Sequence, residues 1–194
     1  NQVKKFGSAA ENGEPNRIAQ DLMDFCYDYY TSQKNYRDGI YWPGYWSISY
    51  HVGFGMLSGA LPSGRKRGKA FTPGLTPSPT ASDQVLDNIL DVSKLNHLKM
   101  PNNIAFNVKL VPHPGDPQEE VLNQFASYIK SYMEMGGMQW QCNVITSNTM
   151  REAMKNPDDY RWLIVRISGY NAYFVKLNRN MQEELIERAE YMSR

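Results

Sequence analysis

The chain has 194 residues, 41% of them hydrophobic and 12% aromatic, which suits one packed domain and excludes a disordered segment. A formal net charge of +1 gives no global field toward nucleic acid or an anionic membrane. No apolar run approaches the roughly 18 residues of a membrane span. The N-terminal NQVKKFGSAAENGEP lacks a signal-peptide pattern, so cytoplasmic localisation is expected.

The first predicted element is a helix over 16–34, with Ile18, Leu22, Phe25 and Tyr29 recurring at helical spacing as its buried stripe. After an aromatic, turn-rich segment (39–44), Trp46, Ile48 and Tyr50 alternate with Ser47, Ser49 and His51, the period of a strand. Residues 59–82 are dense in Gly, Pro, Ser and Thr. By composition they read as a linker, and "GRKRGK" within them as a small basic patch that no other basic stretch reinforces.

Asp83 is the expected cap of a helix carrying Val85, Leu86, Ile89, Leu90 and Val92. A strand follows at 104–111, with Ile104, Phe106, Val108 and Leu110 on one side. In the next helix Asp116 caps, Pro117 takes the first position and Glu119 completes the capping box. Val121, Phe125, Ile129 and Tyr132 form its stripe, and Gly136-Gly137 ends it.

A second alternating strand sets Met138, Trp140, Cys142 and Val144 against Gln139, Gln141 and Asn143. A short helix over 147–155, two apolar runs around Gly169, and a final helix capped by Asn178 or Asn180 complete the chain. That last helix carries Met181, Leu185, Ala189 and Met192 on one face. Alternating helices and strands give an α/β class.

Cys26 and Cys142 are too few for a disulfide framework and read as buried, inert thiols. His51, His97 and His113 form no ligand pattern, and no metal is assigned.

The stretch "LIVRISGYNAYFVKL" (163–177) places Gly169 between two apolar runs without Asn-Gly or Asp-Gly hairpin chemistry. One reading is a turn needing positive φ. Another is chemical. A glycine Cα that loses one hydrogen can flatten between an electron-donating amide nitrogen and an electron-accepting carbonyl, where a side chain would clash.

"IVRISGYNA" (164–172) resembles the C-terminal signature of glycyl radical enzymes, the family of pyruvate formate-lyase, choline lyase and benzylsuccinate synthase. "NPDDYRWL", "GGMQWQCNVI", "LPSGRKRGKAFTPGLTPSP", "DVSKLNHL" and "YWSISYHVGFG" are similar to further segments of that family, so the resemblance runs from about Lys5 to the last helix.

The resemblance implies an ordered loop at 59–80 in place of a linker. It also implies that the chain is the C-terminal part of a ten-stranded α/β barrel. Residues 1–135 would belong to the catalytic barrel and 136–194 to a glycyl radical domain. Gly169 would store the radical and Arg166, Ser168 and Tyr170 would support its loop, Arg166 as an anchor or as surface read by an activating enzyme. Trp46, Ser47, Ile48 and Ser49 would line the pocket.

No bound cofactor is implied. An activating enzyme using S-adenosylmethionine and an iron–sulfur cluster would install the radical, which passes to a thiyl cysteine. Neither Cys26 nor Cys142 fits that cysteine, which is expected upstream of this chain. "RISGYNAYFVKLNRNMQEELIERAEYM" looks most like alkylsuccinate synthases, implying hydrocarbon and fumarate as substrates, with small accessory subunits as further partners. Alternatives are another glycyl radical lyase (decarboxylase, dehydratase, C–N lyase or formate acetyltransferase), a stand-alone repair module, or a binding domain using the basic loop.

Overall fold

A computed structural model describes residues 14–78, 82, 84–112 and 115–191. The expected roles of Asp83, His113 and Met192 lie outside these residues. Helix α1 spans Glu14–Ser32, α2 spans Tyr50–Leu57 and is followed by a loop described over 58–78, and α3 spans Val85–Ser93. Strand β1 (Asn107–Lys109), helix α4 (Gln118–Glu134) and strand β2 (Gln141–Asn143) form one β-α-β unit. The two strands are parallel, with Val108 opposite Cys142, as a helical crossover requires. Helix α5 (Ser147–Lys155), the antiparallel hairpin β3 (Ile164–Arg166) and β4 (Asn171–Tyr173), and α6 (Arg179–Tyr191) follow.

Two apolar clusters organise these elements. One joins Ile89 and Val92 of α3 to Phe106, Val108 and Tyr132, with Trp140 and Cys142 beside them. The Phe106 ring lies 5.3 Å from that of Tyr132 and 5.7 Å, edge-on, from that of Trp140. The other packs Met150 and Ala153 of α5, Leu163, Val165 and Ile167 of the hairpin, and Met181, Leu185 and Ala189 of α6, with Val52 of α2 among them.

Alternation across β1 and β2 is as expected from the sequence, because each strand has one face on the first cluster. Burial of the Cys142 thiol pushes its pKa up, against the pull of the Trp140 N–H that donates to its sulfur at 2.6 Å. Cys142 and Cys26 are both half-buried.

The expected strand at 45–51 is not one. Tyr45 makes a single parallel bridge with Ile104, Ile48 has φ 51°, and α2 begins at Tyr50. A left-handed residue in mid-run ends any strand. The α1 stripe is also reversed: Ile18, Leu22, Phe25 and Tyr29 are exposed, and Met23 is the buried residue of that helix's middle turns. At α4 the cap position belongs to Pro117, not Asp116, and of the expected stripe Tyr132 alone is fully buried. Asn178 caps α6, its Oδ1 accepting from the Met181 N–H at 3.0 Å.

The loop after α2 is built structure. Arg65 donates to the carbonyls of Gly55, Gly59, Lys66 and Lys69, and its guanidinium lies 4.4 Å above the Phe71 ring. Lys69 pairs with Glu187 of α6. Arg65 and Lys69 of "GRKRGK" are therefore engaged within the fold. The loop backbone passes so close to α2 that a Cβ on Gly55 would sit 2.6 Å from the Ala70 Cα. Gly55→Ala should cost about 1–3 kcal/mol, read as a lower urea midpoint, because backbone must move to admit the methyl.

Burial lowers the His97 pKa, against its hydrogen bond to the Val92 carbonyl (2.9 Å). The carbonyl can only accept, so Nε2 carries the proton, and Nδ1 is buried with no partner among the described residues. The unfolded chain therefore takes up a proton first, and stability should fall as pH drops below about 6.5. His97→Gln, which keeps a donor for Val92, should flatten that decline in urea titrations at pH 5.5–7.

Candidate functional site

Gly169 is the second residue of a two-residue hairpin tip. The Ile167 N–H donates to the Tyr170 carbonyl at 3.0 Å, and Gly169 has φ 84° while Ser168 does not have positive φ. Types I′ and II′ need a positive φ at the first tip residue, so this tip follows neither and has no use for Asn-Gly. The glycine is exposed, and a Cβ built on it would lie 3.3 Å from Cε3 of Trp46. Trp46 is held there by the Tyr45–Ile104 bridge, with the Tyr45 N–H donating to the Asn103 carbonyl at 2.8 Å.

The hairpin is fastened to β2 by side chains. Asn143 Nδ2 donates to the Arg166 carbonyl at 2.7 Å, and its Oδ1 accepts the Arg166 N–H at 2.9 Å. One amide thus satisfies both backbone groups of a residue, as a paired strand would. Two positions earlier, Gln141 Oε1 accepts the Gly169 N–H at 3.2 Å and the Arg166 Nε at 2.5 Å. Arg166 also donates from Nη1 to Asn171 Oδ1 at 3.2 Å. The backbone on both sides of Ser168 and the amide of Gly169 are therefore fixed relative to the sheet.

The structure brings Arg166, Ser168, Gly169 and Tyr170 together with Trp46. Ser168 is fully buried, with a hydroxyl that has no hydrogen-bond partner among the described residues. Tyr170 packs half-buried on the second cluster. Ser47 turns away, its Oγ 3.0 Å from His51 Nδ1. Ile48 and Ser49 form the turn into α2, with Ser49 at its cap position making no side-chain cap bond.

Gln141 and Asn143 entered the sequence reading as members of a strand face. Their contacts, reaching 23 to 28 residues ahead, were not predicted. The signals available were that polar face, two amides at i and i+2 with no charged neighbour between them, and their place in the family-like segment "GGMQWQCNVI". Among the described residues, no group of three or more His, Cys, Asp or Glu could hold a metal. No helix there is long and apolar enough to cross a membrane.

Residues 71–175 match the family model described as "Glycine radical". The chain is 31% identical over 187 residues to (2S)-3-sulfopropanediol dehydratase of Klebsiella oxytoca, an alignment covering 92% of this chain and 22% of that enzyme. It is 38% identical over 89 residues to the 4-hydroxyphenylacetate decarboxylase glycyl radical subunit of Clostridioides difficile, covering 46% of this chain and 10% of that subunit. Among solved structures, the glycerol-bound B12-independent glycerol dehydratase from Clostridium butyricum superimposes with a TM-score of 0.84 at 33% identity, over 94% of this chain and 23% of that one. The chain thus spans less than a quarter of the length of these relatives.

Asn143→Asp keeps the shape and the acceptor but removes the donor to the Arg166 carbonyl and brings a negative charge to it. It should destabilise the protein by about 1–3 kcal/mol in denaturant titrations, with faster amide exchange concentrated in 164–173.

Proposed function

The chain belongs to the glycyl radical enzyme family and corresponds to the C-terminal part of its barrel-type α/β fold, and on that premise we propose that Gly169 stores the unpaired electron of a lyase that breaks a bond in a small substrate. The observation that carries this is the clamped tip: a glycine in the family-matched segment, with its amide on Gln141 and a tryptophan ring against the place a Cβ would occupy. We propose residues 136–194 as the radical domain and the preceding part as barrel.

In this reading an activating enzyme of the S-adenosylmethionine and iron–sulfur type takes one hydrogen atom from the Gly169 Cα. The resulting radical takes the hydrogen of a cysteine thiol outside this chain. The thiyl radical then takes a hydrogen from the substrate, whose radical loses a leaving group, and the hydrogen returns to the product. The chain's own part is positional: Gln141, Asn143 and Arg166 hold the tip, and Trp46 blocks one approach to the carbon.

The relatives named above are two dehydratases and a decarboxylase subunit. They favour loss of water or carbon dioxide, within the broader expectation of another glycyl radical lyase. They lend no support to fumarate addition by an alkylsuccinate synthase, and hydrocarbon and fumarate are not retained as the proposed substrates.

The full-length protein, activated anaerobically, should give a glycyl doublet in electron paramagnetic resonance, and Gly169→Ala should abolish both signal and turnover. A doublet persisting in that variant would refute the assignment. Product analysis separates the chemistries. Loss of water or carbon dioxide from a diol, hydroxy acid or aryl acid is expected, whereas alkylsuccinate formed from a hydrocarbon and fumarate would reinstate the other reading.

A further inference from the structure

A chain of buried and half-buried polar groups connects the two sides of Gly169. It begins at Ser47, next to Trp46, whose Oγ lies 3.0 Å from Nδ1 of His51 on α2. His51 is 3% exposed, and its Nε2 faces Oε2 of Glu184 on α6 at 3.7 Å. The same Glu184 oxygen accepts from Arg188 Nη2 at 3.0 Å. Arg188 Nη1 then donates to the Ile167 carbonyl at 3.1 Å, two residues before Gly169. Side-chain exposure is 8% for Glu184 and 10% for Arg188.

Such a pair is an expensive way to fill space. Removing two charges from water costs several kcal/mol per ion, and a buried ion pair often stabilises less than apolar residues of the same volume. Burial alone would raise the Glu184 pKa, but Arg188 and His51 outweigh it and keep the carboxyl below its usual range. What the pair supplies that apolar packing would not is direction. A planar guanidinium fixed by a carboxylate aims a second N–H at one backbone carbonyl.

We propose that Arg188, oriented by Glu184, is a positioning residue that holds the Gly169 tip against Trp46, so that helix α6 sets the exposure of the radical carbon. The hairpin is then held from two sides, by the amides of β2 and by the guanidinium of α6. The functional consequence rests on the role proposed for Gly169; the geometric claim is testable without it.

The experiment is hydrogen exchange on the unactivated full-length protein, followed by radical decay after activation. Arg188→Lys keeps a cation for Glu184 but cannot present two N–H groups in a fork. Glu184→Gln keeps an acceptor but removes the charge. Each should raise exchange in the peptide covering 164–173 about tenfold, while α5 stays within about twofold of wild type.

Glu190→Gln, which breaks the exposed Arg151–Glu190 pair on the same helix, should leave the hairpin unchanged. After activation, the Arg188→Lys radical should start at the wild-type spin count and decay about tenfold faster under trace oxygen. Hairpin exchange within about twofold of wild type in Arg188→Lys, or an equal rise throughout α5, would overturn the proposal. If wild type itself yields no glycyl doublet, the reading of Gly169 fails, and the exchange result still decides whether Arg188 positions the tip.

Discussion

The structure turns on an unusual seam. Strand β2 pairs with β1 through its backbone, but it reaches the β3–β4 hairpin through the amides of Gln141 and Asn143. Backbone pairing would have drawn the hairpin into the sheet and fixed its tip by strand register. Side-chain amides hold it instead on the polar face of β2, where the tip's height is set by the length of a Gln and an Asn. Gln141 also ties the tip amide and the Arg166 guanidinium to one oxygen, so neither can shift without the other. Exchange of either amide for an apolar side chain would leave polar groups without partners, which costs more than a lost contact.

Legibility of the sequence divides along a physical line. Elements with a clear local signal were readable: β1 and β2 fall within the alternating runs 104–111 and 138–144, the helix over 147–155 stands as expected, and the two apolar runs around Gly169 form the hairpin. The run at 45–51 alternated equally well and misled, because Ile48 adopts a left-handed conformation and sends Ser47 and His51 inward. Pattern reports which residues are apolar, not the φ of the residue between them.

Helix α1 makes the related point. Ile18, Leu22, Phe25 and Tyr29 do share a face, but an amphipathic face says nothing about what covers it. Within the site, Gly169 stood out because glycine carries both a conformational and a chemical meaning. Gln141 and Asn143 stood out only through the resemblance of "GGMQWQCNVI", and Arg188 not at all, since hydrogen bonds from side chains to distant backbone leave no period in the sequence.

Exposure of Gly169 fits the proposed reading in a specific way. The chain supplies a floor (the β2 amides) and one wall, Trp46. A stored carbon radical needs exclusion of oxygen from the remaining side as well. The relatives are about four times as long as this chain, and in the proposed reading a corresponding additional length would supply that cover.

A positive φ and a radical-storing carbon both select glycine, so residue 169 by itself cannot distinguish a turn from a reactive centre. The surroundings are what favour the proposed reading. A turn needing only positive φ tolerates Asn or Asp at modest cost, and the 3.3 Å approach of Trp46 to a Cβ is tight without being prohibitive. Nothing about such a turn calls for an amide on the glycine N–H, a second amide on both backbone groups of Arg166, and a buried guanidinium on the Ile167 carbonyl. Three long-range anchors within four residues restrict motion far beyond what chain reversal demands. Ordering of that kind costs entropy, and it supports the proposed reading because the anchored run, Arg166 to the Gly169 N–H, ends at the α-carbon that would hold the radical.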